Sequence, residues 1–255
     1  MPRQARKKSS SGIYHIMLRG INRQDIFQDE EDRERFIETL NNYKNICRYE
    51  IYGYCLMSNH IHLLIKEGKE TISSVMKRIG ASYVYWYNMK YERYGHLFQD
   101  RYKSESVEDD KYILTVLRYI HQNPIKAGIV KEAAKYKWSS YIEYISQKGI
   151  LTDTDFVLDI LSPDRNKALK IFEEFMIEEN KDTCMDDEIK KRKQLSDENV
   201  KKLIAELVKS DNMQILQQMN KNQRDHIIKE LKEKDISIRQ MARITGLGRR
   251  IIEKV

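Results

Sequence analysis

The sequence contains few of the residues that build covalent or metal-stabilised scaffolds. Its three cysteines, Cys47, Cys55 and Cys184, are too few and too scattered for a disulfide framework or a cysteine-rich zinc cluster. No segment approaches the roughly 18 consecutive apolar residues that span a membrane, and the basic N-terminus is not followed by an apolar signal core. We therefore expect a cytoplasmic protein that does not contact a membrane.

Acidic residues are outnumbered by basic ones. The chain has 46 Lys and Arg against 39 Asp and Glu, a formal net charge of +7 and a pI near 9.0. This excess is spread along the chain and agrees with a nucleic-acid partner without establishing one. The tail from Met1 to Lys8 is either a solvated end or a phosphate-binding arm. Arg19 and Arg23 flank the end of the first predicted strand and are candidates for contacts with DNA phosphates.

Two histidines, His60 and His62, lie on a short apolar segment that we predict to be a strand. Alternate side chains of a strand share a face, so the two imidazoles would stand side by side. Ile61, Leu63 and Ile65 would then face a core. The pair is either half of a metal site or two half-buried histidines at this spacing by chance.

A second informative segment is a predicted amphipathic helix over residues 109–123. Its apolar residues recur at helical spacing: Ile113, Val116, Leu117 and Ile120. Pro124 disfavours helical geometry in the residue before it, so we expect the helix to end near Asn123. Tyr119 and Asn123 lie one turn apart on one flank, whereas His121 is about 200° around the helix from Tyr119. Taken singly, Tyr119 could be a packing residue and Asn123 a helix cap.

Five segments, taken in order, resemble the HUH single-tyrosine endonucleases, and most closely the REP-associated tyrosine transposases. They are Tyr14–Arg23, Tyr54–Leu63, Gly95–Lys103, Tyr119–Gly128 and Trp138–Tyr141. The resemblance covers about the first 145 residues. It implies that Tyr119 is the nucleophile and that His60, His62 and Asn123 hold a divalent metal.

The chemistry of phosphodiester cleavage explains these residue types. It requires an in-line nucleophile and a positive centre that stabilises charge on the phosphate. A phenol has a reference pKa near 10, so only about one tyrosine in a thousand is ionised at neutral pH, and a metal or a general base must activate it. Two imidazoles and an amide oxygen suit Mg²⁺ or Mn²⁺ better than a closed structural zinc.

The order of the predicted elements indicates the fold class. Strands at about 14–19, 49–57, 59–65 and 101–107 alternate with helices at about 29–47, 71–92 and 109–123. This β-α-β-β-α-β order predicts an α+β fold, a ferredoxin-like antiparallel sheet with helices on one face. We expect a nuclease domain at 1–150, a helical connector at 151–194 and an all-α domain at 195–255.

Four tyrosines form a stripe at helical spacing on the second predicted helix: Tyr83, Tyr87, Tyr91 and Tyr94. Core packing is the favoured interpretation because aromatic stripes are usually buried. Stacking on the bases of single-stranded DNA is the alternative.

The end of the chain resembles a helix-turn-helix and the C-terminal DNA-binding domain of bacterial replication initiators. Ser237 and Gln240 form a capping box, and Gly246 provides a tight turn before a second helix. The basic residues of this second helix would face a major groove or phosphates: Arg249, Arg250 and Lys254. The alternative is a small helical bundle that mediates dimerisation.

These observations predict a metal-dependent single-stranded DNA endonuclease and strand transferase that acts at hairpin or repeat sequences through a 5′-phosphotyrosine intermediate. One alternative is a regulator that uses both domains to bind DNA and does not cut it. The C-terminal domain could bind duplex DNA. Another is a metal-dependent nuclease that uses water as its nucleophile. One candidate nucleophile per chain leaves open whether the protein acts as a monomer or a homodimer.

Overall fold

The computed structural model describes residues 6–180, 182, 184, 197–208, 210, 215–234 and 236–255. Residues 1–5 of the basic tail and most of 181–196 lie outside the described residues. The chain divides into two compact units, Met1–Met185 and Asp186–Val255, and each is described by itself.

A four-stranded antiparallel sheet organises the first unit. Its strands are β1 (Ile13–Arg19), β2 (Glu50–Leu56), β3 (His60–Lys66) and β4 (Lys103–Val107), in the spatial order β2-β3-β1-β4. The helices are α1 (Glu30–Cys47), α2 (Ile72–Lys90), α3 (Asp110–Lys126), α4 (Tyr141–Ser146), α5 (Thr154–Leu161) and α6 (Arg165–Ile177). The predicted α+β class with a ferredoxin-like antiparallel sheet is confirmed.

Polar side chains fix the beginnings of the three long helices. Asp29, Thr71 and Asp109 each accept a hydrogen bond from the backbone N–H three residues further on, which satisfies one of the unpaired donors at a helix start. The helices therefore begin where these capping residues stand in the sequence.

Helices cover both faces of the sheet, so the prediction that they lie on one face was wrong. Ile61, Leu63 and Ile65 pack with α1 and α2, whereas Leu64 packs with α3 on the opposite face. Because β3 is apolar on both faces apart from its histidines and the terminal Lys66, neither face can be left to water. Helices α5 and α6, from the segment predicted as a connector, join α3 on its side of the sheet.

Helix α3 continues past Pro124 to Lys126, and the prediction that it ends near Asn123 was wrong. Proline lacks an N–H and cannot donate to the carbonyl of Ile120. The helix loses only this one hydrogen bond, because backbone hydrogen bonds stabilise the turn that follows. Ala127 N–H donates to Asn123 O and Ile129 N–H donates to Pro124 O, each at 2.9 Å. The longer helix keeps Lys126 on the same element as Tyr119.

The second unit is helical. Its elements are α7 (Asp197–Val208), α8 (Ile215–Gln218), α9 (Lys221–Glu233), α10 (Ile238–Thr245) and α11 (Arg249–Glu253). Ser237 accepts a hydrogen bond from Gln240 N–H at the start of α10, and Gly246 has a φ of +71° after its end. Only glycine adopts that conformation without strain. Helix-turn-helix function for this unit remains a prediction.

Candidate active site

Tyr119 lies on the side of α3 that faces the sheet, directly over histidines of two neighbouring strands. Its ring centroid is 5.6 Å from that of His62 on β3 and 5.9 Å from that of His15 on β1. Tyr119 is 3% exposed. The structure therefore brings the predicted nucleophile onto the face of the sheet that carries the predicted metal ligands.

His60 and His62 share that face, as strand alternation requires. Their ring centroids are 5.1 Å apart, and the rings are nearly perpendicular at 87°. His60 is the first residue of β3, where its Nδ1 lies 2.6 Å from Oδ1 of Asn59. This half-buried position places His60 at the end of the sheet and His62 inside it.

Asn123 stands one turn after Tyr119 on α3, and its Nδ2 donates to the main-chain oxygen of Tyr119 at 3.0 Å. In the part of the chain that the structure describes, no three His, Cys, Asp or Glu side chains are grouped to hold a metal ion. A site at His60 and His62 would thus need a ligand of another kind. An amide oxygen from Asn123 gives a donor set that fits Mg²⁺ or Mn²⁺.

His15 is a site residue that the sequence analysis missed. It is fully buried, and its Nε2 lies 3.0 Å from Nδ1 of His62. On its other side, Nδ1 of His15 is 3.6 Å from Oε2 of Glu105, the residue directly opposite it on β4. Tyr112 forms a side-chain hydrogen bond to the same carboxylate. A polar chain thus runs from β4 through β1 to the predicted ligand on β3.

The carboxylate of Glu105 favours one placement of the protons along this row of side chains, across a 3.6 Å separation from His15 that is longer than a hydrogen bond. Glu105 can only accept when it is ionised, which favours the proton of neutral His15 on Nδ1. With that tautomer, Nε2 of His15 accepts a hydrogen bond from Nδ1 of His62. In this arrangement Nε2 of His62 carries a lone pair, which is the form of imidazole that binds a metal.

Lys126 is a second residue that the sequence analysis missed. Its Nζ lies 5.2 Å from the centroid of the Tyr119 ring, within the range of a cation–π contact. Lys126 is seven residues after Tyr119, or about two helical turns, and would have been found if the helix had been extended past Pro124. An ammonium group here can stabilise negative charge on a phenol oxygen or a phosphate.

Two predicted DNA contacts lie beside His60. Arg19, at the end of β1, is the antiparallel partner of His60, and Arg23 follows in the adjoining turn. The side chain of Asn59 donates to the main-chain oxygen of Arg23 at 3.3 Å, which ties the two loops together. Arg249, Arg250 and Lys254 belong to the other unit, where all three are exposed and Lys254 is the cap that follows α11.

His121 faces away from this cluster, as its angular position on α3 predicted. It is fully buried, its Nε2 is 2.8 Å from the hydroxyl of Ser140, and it packs against Tyr144 and Phe172. Burial lowers its pKa from 6.5 to about 3. His121 is therefore a neutral structural residue at physiological pH.

This shift predicts an acid-sensitive fold. Below pH 6.5 the unfolded chain binds a proton at His121 that the folded chain does not, so stability is complete above pH 6.5 and falls as the pH drops toward 3. The slope from this residue approaches about 1.4 kcal/mol per pH unit. Urea unfolding measured across this pH range should show that the free energy of unfolding falls more steeply with decreasing pH in wild type than in His121→Gln. Equal slopes in the two proteins would contradict the prediction.

Comparisons with known proteins agree with this geometry. Residues 8–123 match the family model described as "Transposase IS200 like". The chain is also similar to a solved REP-associated tyrosine transposase bound to a REP hairpin, with 19% identity, a TM-score of 0.50, and coverage of 61% of this chain and 90% of that one. No match was found among curated proteins, and no described helix is long and apolar enough to cross a membrane. Residues 8–123, which contain the His–Tyr cluster of His15, His60, His62 and Tyr119, are thus similar to the IS200-like transposases.

Proposed function

We propose that the first unit cleaves and rejoins single-stranded DNA at hairpin or repeat sequences through a covalent bond to Tyr119. The observation that carries this proposal is the packing of the Tyr119 ring against His62, with His60 next to it on the same strand. It supports Tyr119 as the nucleophile, because the phenol lies on the same face of the sheet as the two imidazoles. The hairpin bound by the similar transposase supports the choice of DNA.

The cleavage step balances without water. The Tyr119 oxygen attacks the phosphorus, an O–P bond forms, and the bond from phosphorus to the 3′ oxygen breaks. The phenol proton leaves to a base and the departing 3′ oxygen takes up a proton. DNA is left joined to the protein through its 5′ phosphate, and a 3′-hydroxyl can later attack this ester and reseal a strand without ATP.

Residues of this chain would bind and orient the phosphate. His60, His62 and Asn123 are the residues that would hold Mg²⁺ or Mn²⁺, which when bound supplies Lewis-acid stabilisation of charge on the phosphate. Lys126 lies close enough to the Tyr119 ring to offset charge that develops during attack. Arg19 and Arg23, next to His60, would contact the neighbouring phosphates.

The test is to incubate the protein with end-labelled hairpin DNA and Mg²⁺ or Mn²⁺, and to look for a covalent complex on a denaturing gel. A metal-dependent complex that carries the label is the expected result. DNA binding without any complex across varied hairpins would favour the regulator, and cleavage without a complex would favour a water-using nuclease.

We also propose that the second unit adds DNA contacts through Arg249, Arg250 and Lys254. Their exposure supports this. If two of them bind phosphates, Arg249→Ala with Arg250→Ala should reduce the slope of log affinity against log salt on duplex DNA by about two. Lys221→Ala with Lys229→Ala, two exposed cations of α9, is the matched control. If the salt dependence of the double variant is unchanged and sedimentation shows that it no longer dimerises as wild type does, this unit mediates dimerisation instead.

A further inference from the structure

A groove lies between α2 and the loop at residues 96–102, away from the His–Tyr cluster. Its volume is about 520 Å³, within the range of small-ligand sites. The apolar part of its lining comes from Met76, Gly80, Val84, Leu97, Phe98 and Tyr102. This loop lies within Gly95–Lys103, one of the five segments that resemble the REP-associated tyrosine transposases.

The rim of this groove is mainly cationic. Lys77 and Arg101 are exposed there, with His96 beside them and Asp100 as the opposing carboxylate. Arg6, from the basic tail, donates to the main-chain oxygen of Tyr102 at 2.8 Å, and its guanidinium lies 3.6 Å from the centre of that ring. Apolar walls with a basic rim match the two parts of a nucleotide, a flat base and a charged phosphate.

The groove is connected to the proposed active site through backbone pairing. Ile21 N–H donates to Leu97 O and Gln99 N–H donates to Arg19 O, each at 2.9 Å. Arg19 in turn pairs with His60 on the next strand. Two strand spacings, or about 10 Å, therefore separate the backbone of this loop from that of His60. The groove is on the α2 side of the sheet, at the same end as His60.

We propose that this groove binds an unpaired nucleotide of the DNA strand that flanks the cleaved phosphate, which rests on the function proposed above. The base lies against the partly buried side chains of Val84 and Phe98, and Lys77 and Arg101 neutralise the adjoining phosphate. The strand passes over the end of the sheet from His60 to the groove. Tyr85, 71% exposed and one turn after Ala81 of the groove lining, extends the contact surface.

Gly80 offers a selective way to fill the groove. A Cβ atom added there meets no atom within 4 Å, so the first carbon of the Gly80→Leu side chain is accommodated and we expect the remainder to occupy the groove. Leucine also favours a helix more than glycine does, so the variant should fold. Asn42→Leu, which adds the same side chain to an exposed position of α1, controls for a new apolar surface group.

The experiment compares two fluorescein-labelled hairpins by anisotropy: one with blunt ends and one with short single-stranded flanks of random sequence. Wild type and Asn42→Leu should bind the flanked hairpin more tightly. In Gly80→Leu this advantage should fall by about tenfold or more, the effect of losing one stacked base. Affinity for the blunt hairpin and the melting temperature should not fall.

The groove proposal is overturned if Gly80→Leu retains the full advantage of the flanks, or if wild type binds both hairpins equally. Its failure is distinguishable from failure of the proposed function, because the covalent complex is scored separately. A complex in wild type together with unchanged binding by Gly80→Leu removes the groove alone. Absence of any complex, with the flank advantage lost in Gly80→Leu, removes strand transfer and leaves a single-strand binding site.

Discussion

Tyr119→Phe is expected to abolish the covalent protein–DNA complex, lowering its yield by at least about a thousandfold, as when other covalent nucleophiles are removed. Phenylalanine keeps the ring that packs against His15 and His62 and removes only the attacking oxygen. The fold and the arrangement of the two histidines should therefore persist. A denaturing gel with end-labelled hairpin DNA and Mn²⁺ measures the loss.

The matched control is Tyr83→Phe, which removes a different buried hydroxyl. Tyr83 on α2 is fully buried and donates to the main-chain oxygen of Ile26, so its loss should cost about 1 kcal/mol of stability. The complex should still form. If Tyr119→Phe continues to cut DNA, the nucleophile is water, and the histidines belong to a hydrolase.

Strand and helix periodicity predicted the parts of this site that lie within one element. His60 and His62 fall on one face because a strand alternates, and Tyr119 and Asn123 share a flank because a helix turns every 3.6 residues. The prediction that the histidine strand and the Tyr119 helix form one site came from the family resemblance. Local spacing alone contains no information about which strand face a distant helix will cover.

The site residues that the sequence did not predict reach the site through strand register or tertiary packing. His15 meets His62 only because β1 lies next to β3, and it meets Glu105 only because β4 pairs on its other side. The element order predicts these neighbours, but the register that brings the three side chains together cannot be derived from the spacing of residues along the chain. Lys126 was missed for another reason. The predicted helix stopped before Pro124, but in the last turn of α3 a proline disrupts few helical hydrogen bonds, so the helix continues.

The coverage of both sheet faces has a similar origin. A ferredoxin-like element order predicts which strands pair, but the helices after β4 can pack anywhere that an apolar face is open. Here Leu64 and Ile13 supply that face, and α3, α5 and α6 bury it. This packing brings the apolar stripe of α3, and Tyr119 with it, onto the histidine face, as the proposed catalysis requires.

His15→Phe is expected to weaken Mn²⁺ binding by about 10–100-fold, the usual effect of removing the partner of a metal-binding histidine. His15 would not touch the metal, so it is a positioning residue. Its Nε2, 3.0 Å from Nδ1 of His62, holds that ring in one tautomer and orientation. Phenylalanine fills a similar volume but accepts no hydrogen bond, so Nδ1 of His62 loses the acceptor that His15 provides.

Isothermal titration calorimetry with Mn²⁺ measures this effect without any DNA, and a second variant separates positioning from simple packing. His15→Gln carries an amide that can accept from Nδ1 of His62 and should restore most of the affinity. Glu105→Gln should cause a smaller loss, because the amide can still pair with His15 but no longer imposes one proton position. Equal affinity in wild type and His15→Phe would reduce His15 to a space-filling residue. Equal losses in His15→Phe and His15→Gln would mean that the site needs the imidazole itself, as a ligand and not as a support.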